Sequence, residues 1–150
     1  MEKKNLDWAN IGFGYHETEK RFVANYKNGA WDAGELTTDA NITMNECAGV
    51  LQYAQTCFEG MKAYTTEDGH IVTFRPDLNA QRMEDSCKRL EMPVFPKERF
   101  VQAVTEVVAA NEAYVPPYGS GATLYIRPYM FGISPVIGVK PADDYQFRIF

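Results

Sequence analysis

Between residues 77 and 115 the apolar residues repeat every three or four positions, while the segments on either side read as strands and hairpins. A chain that changes period in this way is neither all helix nor all sheet. In DLNAQRMEDSCKRLEMP, Ala80, Met83, Cys87 and Leu90 form one helical stripe, with Asp77 placed as N-cap and Pro93 as the stop. KERFVQAVTEVVAANEAYV predicts a second helix with Phe100, Val104, Val107, Val108 and Asn111 on one side. Upstream, Asn28-Gly29 between two strand-like runs marks a hairpin, and GMKAYTTEDGHIVTFRP forms another with Glu67-Asp68-Gly69 at its tip. Residues 48–57 read as strand, then turn or short helix. Downstream, PPYGSG leads into the strand TLYIRPYMFG, and the Pro- and Gly-rich GISPVIGVKPADDY feeds a last strand. Hairpins, two helices, then strands make an α+β or mixed α/β domain.

At 150 residues the chain fits one domain, without internal repeats or low-complexity tracts. A net charge of −5 with no basic stripe argues against non-specific nucleic-acid binding. No apolar run approaches the roughly 18 residues of a membrane span, and MEKKNLDWANIG lacks a signal-peptide core. Cys47, Cys57 and Cys87 are odd in number and lack metal-ligand spacing, which predicts free thiols and a cytoplasmic setting. With only His16 and His70, a histidine metal site or a His-based triad has little to draw on, and no metal is expected. The closing DYQFRIF reads as a strand in mid-course, so the expectation is a domain cut in its last strand from a larger protein.

Strand alternation in TLYIRPYMFG puts Leu124, Ile126 and Met130 on one side and Tyr125, Arg127, Tyr129 and Phe131 on the other. A guanidinium on so apolar a segment needs an anionic or polar partner, either a protein carboxylate or a small carboxylate or phosphate ligand. Arg82 lies roughly opposite the stripe of its helix. It pairs with Asp85 or Ser86 on a wet face, or serves as an anion ligand near the helix start. Tyr53 and Phe58 flank a small-residue turn and read as core unless a site claims them. Lys62 invites a reading as a Schiff-base amine, against the plainer one of a polar residue between Met61 and Ala63 on an alternating strand.

LQYAQTCFEGMKAY, FRPDLNAQRM, TLYIRPYMFG and PVIGVKP stand in order and at matching spacing. Together they resemble the N-terminal domain of branched-chain-amino-acid aminotransferases, pyridoxal 5'-phosphate enzymes of fold type IV, from about Phe13 to the end. The resemblance implies that Arg82 binds the cofactor phosphate and that Arg127 receives the side-chain carboxylate of glutamate. Phe13, Phe58 and Tyr125 then wall the pocket for an aliphatic side chain, and Tyr53, Ile137 and Val139 reach it from the neighbouring subunit of a homodimer. An unpaired buried Arg127 would be costly, so a phenol, from Tyr53 or Tyr125, or a water is expected beside it.

The lysine that bears the cofactor lies, in that family, in a second domain. None of the eight lysines here sits in a matching motif. The expectation is a small N-terminal domain over 1–150 whose intact protein moves an amino group between leucine, isoleucine or valine and 2-oxoglutarate, the chain alone being inactive. Rival readings are a D-amino-acid aminotransferase or aminodeoxychorismate lyase of the same fold, or a non-catalytic module for small carboxylates or dimerisation.

Overall fold

A computed structural model describes residues 2–150 as two antiparallel sheets and a helical layer, the mixed α+β architecture read from the period change. The chain opens its larger sheet with β1 (Arg21–Lys27) and β2 (Ala30–Trp31). Asn28 and Gly29 both hold positive φ, 52° and 82°, as a two-residue turn twisted with its strands requires. A short β3 (Glu35–Thr37) also pairs with β1.

The segment 48–57 corrects the sequence reading. Helix α1 (Gly49–Tyr53) comes first, and the strand β4 (Thr56–Phe58) follows. Leu51 and Gln52 donate backbone N–H bonds to the Ala48 carbonyl, so the helix satisfies itself locally where a strand would need a partner. Ala54, at φ 50°, then ends it and turns the chain so that Thr56 pairs with Phe131.

The second hairpin forms as expected from β5 (Met61–Thr65) and β6 (Ile71–Thr73). Helix α2 spans Pro76–Arg89 rather than 77–92. Asp77 is not its N-cap. Pro76 occupies the first helical turn, where its missing N–H costs nothing, after Arg75 in the left-handed region. Asp77 instead accepts both Nε and Nη2 of Arg75, at 2.9 and 2.7 Å. Ala80, Met83 and Cys87 are buried as the stripe predicts, whereas Leu90 lies past the helix end and is exposed. Helix α3 (Lys97–Ala110) buries Phe100, Val104, Val107 and Val108, with Asn111 buried at its C-cap.

TLYIRPYMFG is two strands, not one. β7 (Leu124–Ile126) pairs with β5 in the small sheet, and β8 (Pro128–Gly132) pairs with β4 and β9 (Tyr145–Ile149) in the large one. The large sheet runs β2-β1-β9-β8-β4 and the small sheet β6-β5-β7. Tyr145, Phe147 and Ile149 of β9 meet α2 and α3 in the core, where Phe95 stacks on Phe147 at 4.1 Å between ring centres. Burying a ring of that size contributes about 2–3 kcal/mol.

Candidate functional site

The chain crosses between the sheets twice, side by side. One crossing is Glu59-Gly60, between β4 and β5; the other is Arg127, between β7 and β8. Phe58 is in register with Tyr129, Lys62 with Tyr125, and the Glu59 N–H donates to the Pro128 carbonyl at 2.8 Å. Both segments therefore bend at the same place, and this double corner carries Phe58, Glu59, Tyr125 and Arg127.

Arg127 is half-buried at the corner, its backbone paired with Phe150. No carboxylate among the described residues forms a salt bridge with it. Its Nε and Nη2 donate to the Tyr125 phenol oxygen at 3.1 and 3.0 Å, and its guanidinium lies over the Phe58 ring at 4.4 Å. The expected phenol partner is therefore Tyr125; Tyr53 donates elsewhere, to the Ile137 carbonyl. The exposed Phe13 ring meets Tyr125 edge-on at 5.2 Å. Tyr125 and Arg127 line an open cavity of about 350 Å³ together with Phe13, Tyr15 and Phe150. Gly60 lets the Tyr125 hydroxyl sit close to the chain here, because a Cβ on it would stand 2.5 Å from that oxygen.

Arg82 lies on the other side of the Glu59 corner. It neither pairs with Asp85, which accepts from Gln81, nor stands alone. Its Nε and Nη2 donate to the two carboxylate oxygens of Glu59 at 2.8 and 2.6 Å, a fork-to-fork pair that holds the guanidinium above its usual pKa. Glu59 is 4% exposed, while the Arg82 side chain is 66% exposed. Asn79, one turn earlier on α2, adds a third donor to Glu59 at 2.9 Å and bonds the Gly60 carbonyl at 3.3 Å.

The corner thus brings together Phe13, Phe58, Tyr125 and Arg127, and joins them through Glu59 to Arg82. Tyr53, Ile137 and Val139 form a separate set. The last two are 80% and 88% exposed, and Ile137 accepts the hydrogen bond of the Tyr53 hydroxyl at its carbonyl. Lys62 is exposed between buried Met61 and Ala63, as the plain alternating-strand reading holds.

Glu59 and Asn79 escaped the sequence reading. An acidic residue closing an apolar run beside Gly60 was the only signal, and its partner lies 23 residues away. Arg21 and Arg148 also escaped it. Both are buried, and both are held largely by backbone carbonyls, Arg21 by Thr38 at 2.6 Å and Arg148 by Asp39 at 3.0 Å.

A mixed α+β domain with two arginines at one sheet junction defines the class, and the solved structures that match it share its fold. A branched-chain aminotransferase from Thermoproteus uzoniensis, solved with norvaline, superposes with a TM-score of 0.67 at 23% identity, over 89% of this chain and 40% of that one. The T.th. branched-chain amino acid aminotransferase, complexed with N-(5'-phosphopyridoxyl)-L-glutamate, gives 0.65 at 24% identity, over 91% and 41%. No protein-family profile matches the chain. A branched-chain-amino-acid aminotransferase of Haemophilus influenzae is 51% identical over 147 residues, 98% of this chain and 43% of that protein. By sequence nearly the whole chain is similar to branched-chain-amino-acid aminotransferases, and it spans less than half the length of the curated relatives it matches.

Proposed function

We propose that the intact protein is a branched-chain-amino-acid transaminase, exchanging the amino group of leucine, isoleucine or valine with 2-oxoglutarate, with pyridoxal 5'-phosphate as cofactor. The observation that carries this is Arg127: a guanidinium held by a phenol and an aromatic ring, with no internal carboxylate among the described residues, at the mouth of an apolar cavity. Such a site serves two substrate classes. Phe13, Phe58 and Tyr125 offer rings to an aliphatic side chain, while Arg127 offers a planar fork to the side-chain carboxylate of glutamate.

The cofactor would supply the electron sink for amino-group transfer. Arg82 fits its phosphate, because Glu59 occupies only one edge of the guanidinium and the side chain is largely exposed. The phosphopyridoxyl adduct in the T.th. relative supports the same reading. The share of the relatives left unmatched supports a second domain carrying the cofactor-binding lysine, with residues 1–150 as the small domain, inactive alone. The exposed Tyr53, Ile137 and Val139 support a homodimer in which they complete a neighbour's pocket. Among the described residues no helix is long and apolar enough to cross a membrane, and the three cysteines are free, which suits a reducing cytoplasm.

The test is transamination by the protein from its complete reading frame, with L- and D-forms of leucine, isoleucine and valine against 2-oxoglutarate. Turnover of the L-forms supports the reading. Turnover confined to D-amino acids, or 2-oxoglutarate binding without pyridoxal phosphate or turnover, replaces it with one of the rivals.

A further inference from the structure

The Glu59–Arg82 pair joins a buried carboxylate to a largely exposed arginine. As a stabilising device that is poor, since solvent screens the exposed partner while the carboxylate still bears desolvation. Its geometry suggests a different use. Glu59 is fixed at both ends: its N–H is bonded to Pro128, and its carboxylate accepts Nε and Nη2 of Arg82 together with Nδ2 of Asn79. A free exposed arginine samples many rotamers; this one is gripped along its Nε–Nη2 edge. Of the five guanidinium N–H bonds, two are taken by Glu59. Of the other three, one on Nη1 and one on Nη2 lie parallel at the far end as an end-on fork, and the third, on Nη1, faces back along the side chain.

We propose that Glu59 is a positioning residue, which sets Arg82 so that its Nη1–Nη2 fork is ready for a phosphate monoester before the ligand arrives. This rests on the reading of Arg82 as the phosphate ligand. It inverts the sign that charge alone predicts. Glu59 is an anion close to where a phosphate would sit, so by Coulomb's law its neutralisation should tighten phosphate binding. If Glu59 orients Arg82, neutralising it weakens binding, because the ligand must then order a rotamer-rich side chain itself.

The experiment measures dissociation constants of pyridoxal 5'-phosphate and of pyridoxal, which lacks the phosphate, for the cofactor-free full-length protein. Glu59→Gln is expected to weaken pyridoxal 5'-phosphate about three- to tenfold, the range for immobilising one long side chain. Pyridoxal should change less than about twofold, and the effect should vanish in an Arg82→Ala background. Glu59→Asp keeps the charge but shortens the reach, and should weaken the phosphate form in the same sense. That variant decides the matter if Glu59→Gln fails to fold. Unchanged or tighter binding of the phosphate form by the Gln or Asp variant, with Arg82→Ala weakened, overturns the positioning role. If Arg82→Ala itself leaves the phosphate form unchanged, the underlying reading of Arg82 fails instead.

Discussion

Arg82 and Arg127 flank the same sheet junction and are balanced in opposite ways. Arg82 is exposed yet carries a full counter-charge, the buried Glu59 carboxylate. Arg127 is half-buried yet has only the Tyr125 phenol and the Phe58 ring. A cation that is already neutralised along one edge can bind a permanent anion without changing its own surroundings. Under the proposed function, a cation that is only loosely partnered can accept a carboxylate from one substrate and sit against the aliphatic chain of the other. Arg21 and Arg148 extend the comparison: they are the most buried of the four, and backbone carbonyls hold them both. Depth of burial therefore does not separate these arginines by role; the kind of partner distinguishes them.

The comparison breaks most visibly in stability. Arg82→Ala leaves the Glu59 carboxylate buried beside Asn79 alone, which should cost about 1–3 kcal/mol in urea denaturation, the range for a stranded polar group. Arg127→Ala, with no carboxylate to strand, should cost clearly less. Equal costs would mean that Glu59 is solvated well enough to make the two arginines alike. Gly60→Ala forces the Tyr125 hydroxyl away from a Cβ at 2.5 Å, and is expected to destabilise by about 1–2 kcal/mol as an overpacked site. Under the proposed function it should also impair glutamate more than leucine, because the displaced phenol is the partner of Arg127.

Tyr125→Phe removes that phenol while keeping the ring. The loss of one hydrogen-bonded partner is worth about 0.5–1.5 kcal/mol, read as a rise of a few-fold in KM for glutamate. The smallest effect concerns Cys57 of β4, whose thiol meets Met83 and Cys87 of α2. Its thiol is held below the usual value by its hydrogen-bonding contact with Cys87, 3.8 Å away, while Cys87 is pushed upward by the same contact and by burial. A lowered pKa leaves more thiolate at a given pH, so iodoacetamide should label Cys57 at lower pH than it labels an ordinary thiol. Cys87→Ala should shift that profile upward. If it stays put, β4 and α2 are not held together as described.

The elements that local chemistry dictates were legible in the sequence. Asn28-Gly29 announced its turn, and the stripes of α2 and α3 foretold Met83, Cys87, Phe100 and Val104 in the core. Side-chain alternation in TLYIRPYMFG held as far as Met130, with Ile126 and Met130 buried and Arg127 half-buried, but Phe131, read onto the side of Arg127, is buried as well. What stayed hidden depends on partners distant in the chain. The break at Arg127 arises because β7 and β8 find different sheets, and no local signal distinguishes that from one long strand. Arg82 faced Asp85 and Ser86 in sequence, yet a carboxylate 23 residues earlier took it, because Glu59 was already anchored beside α2 by Pro128 and Asn79. Asp77 had the composition of an N-cap, but Pro76 began the helix one residue sooner. Resemblance named Arg82 and Arg127; only the fold showed that one corner carries both.

The most direct test of the account is the ratio of kcat/KM for glutamate to that for leucine in full-length Arg127→Met, a substitution that keeps an apolar wall and removes the fork. The loss of a charge-assisted contact, about 1.5–3 kcal/mol, should lower the glutamate value about ten- to hundredfold. Leucine should stay within about threefold, since its side chain needs only the apolar wall. A parallel fall for both substrates, or a fall for neither, would contradict the assignment of Arg127 as the carboxylate receiver.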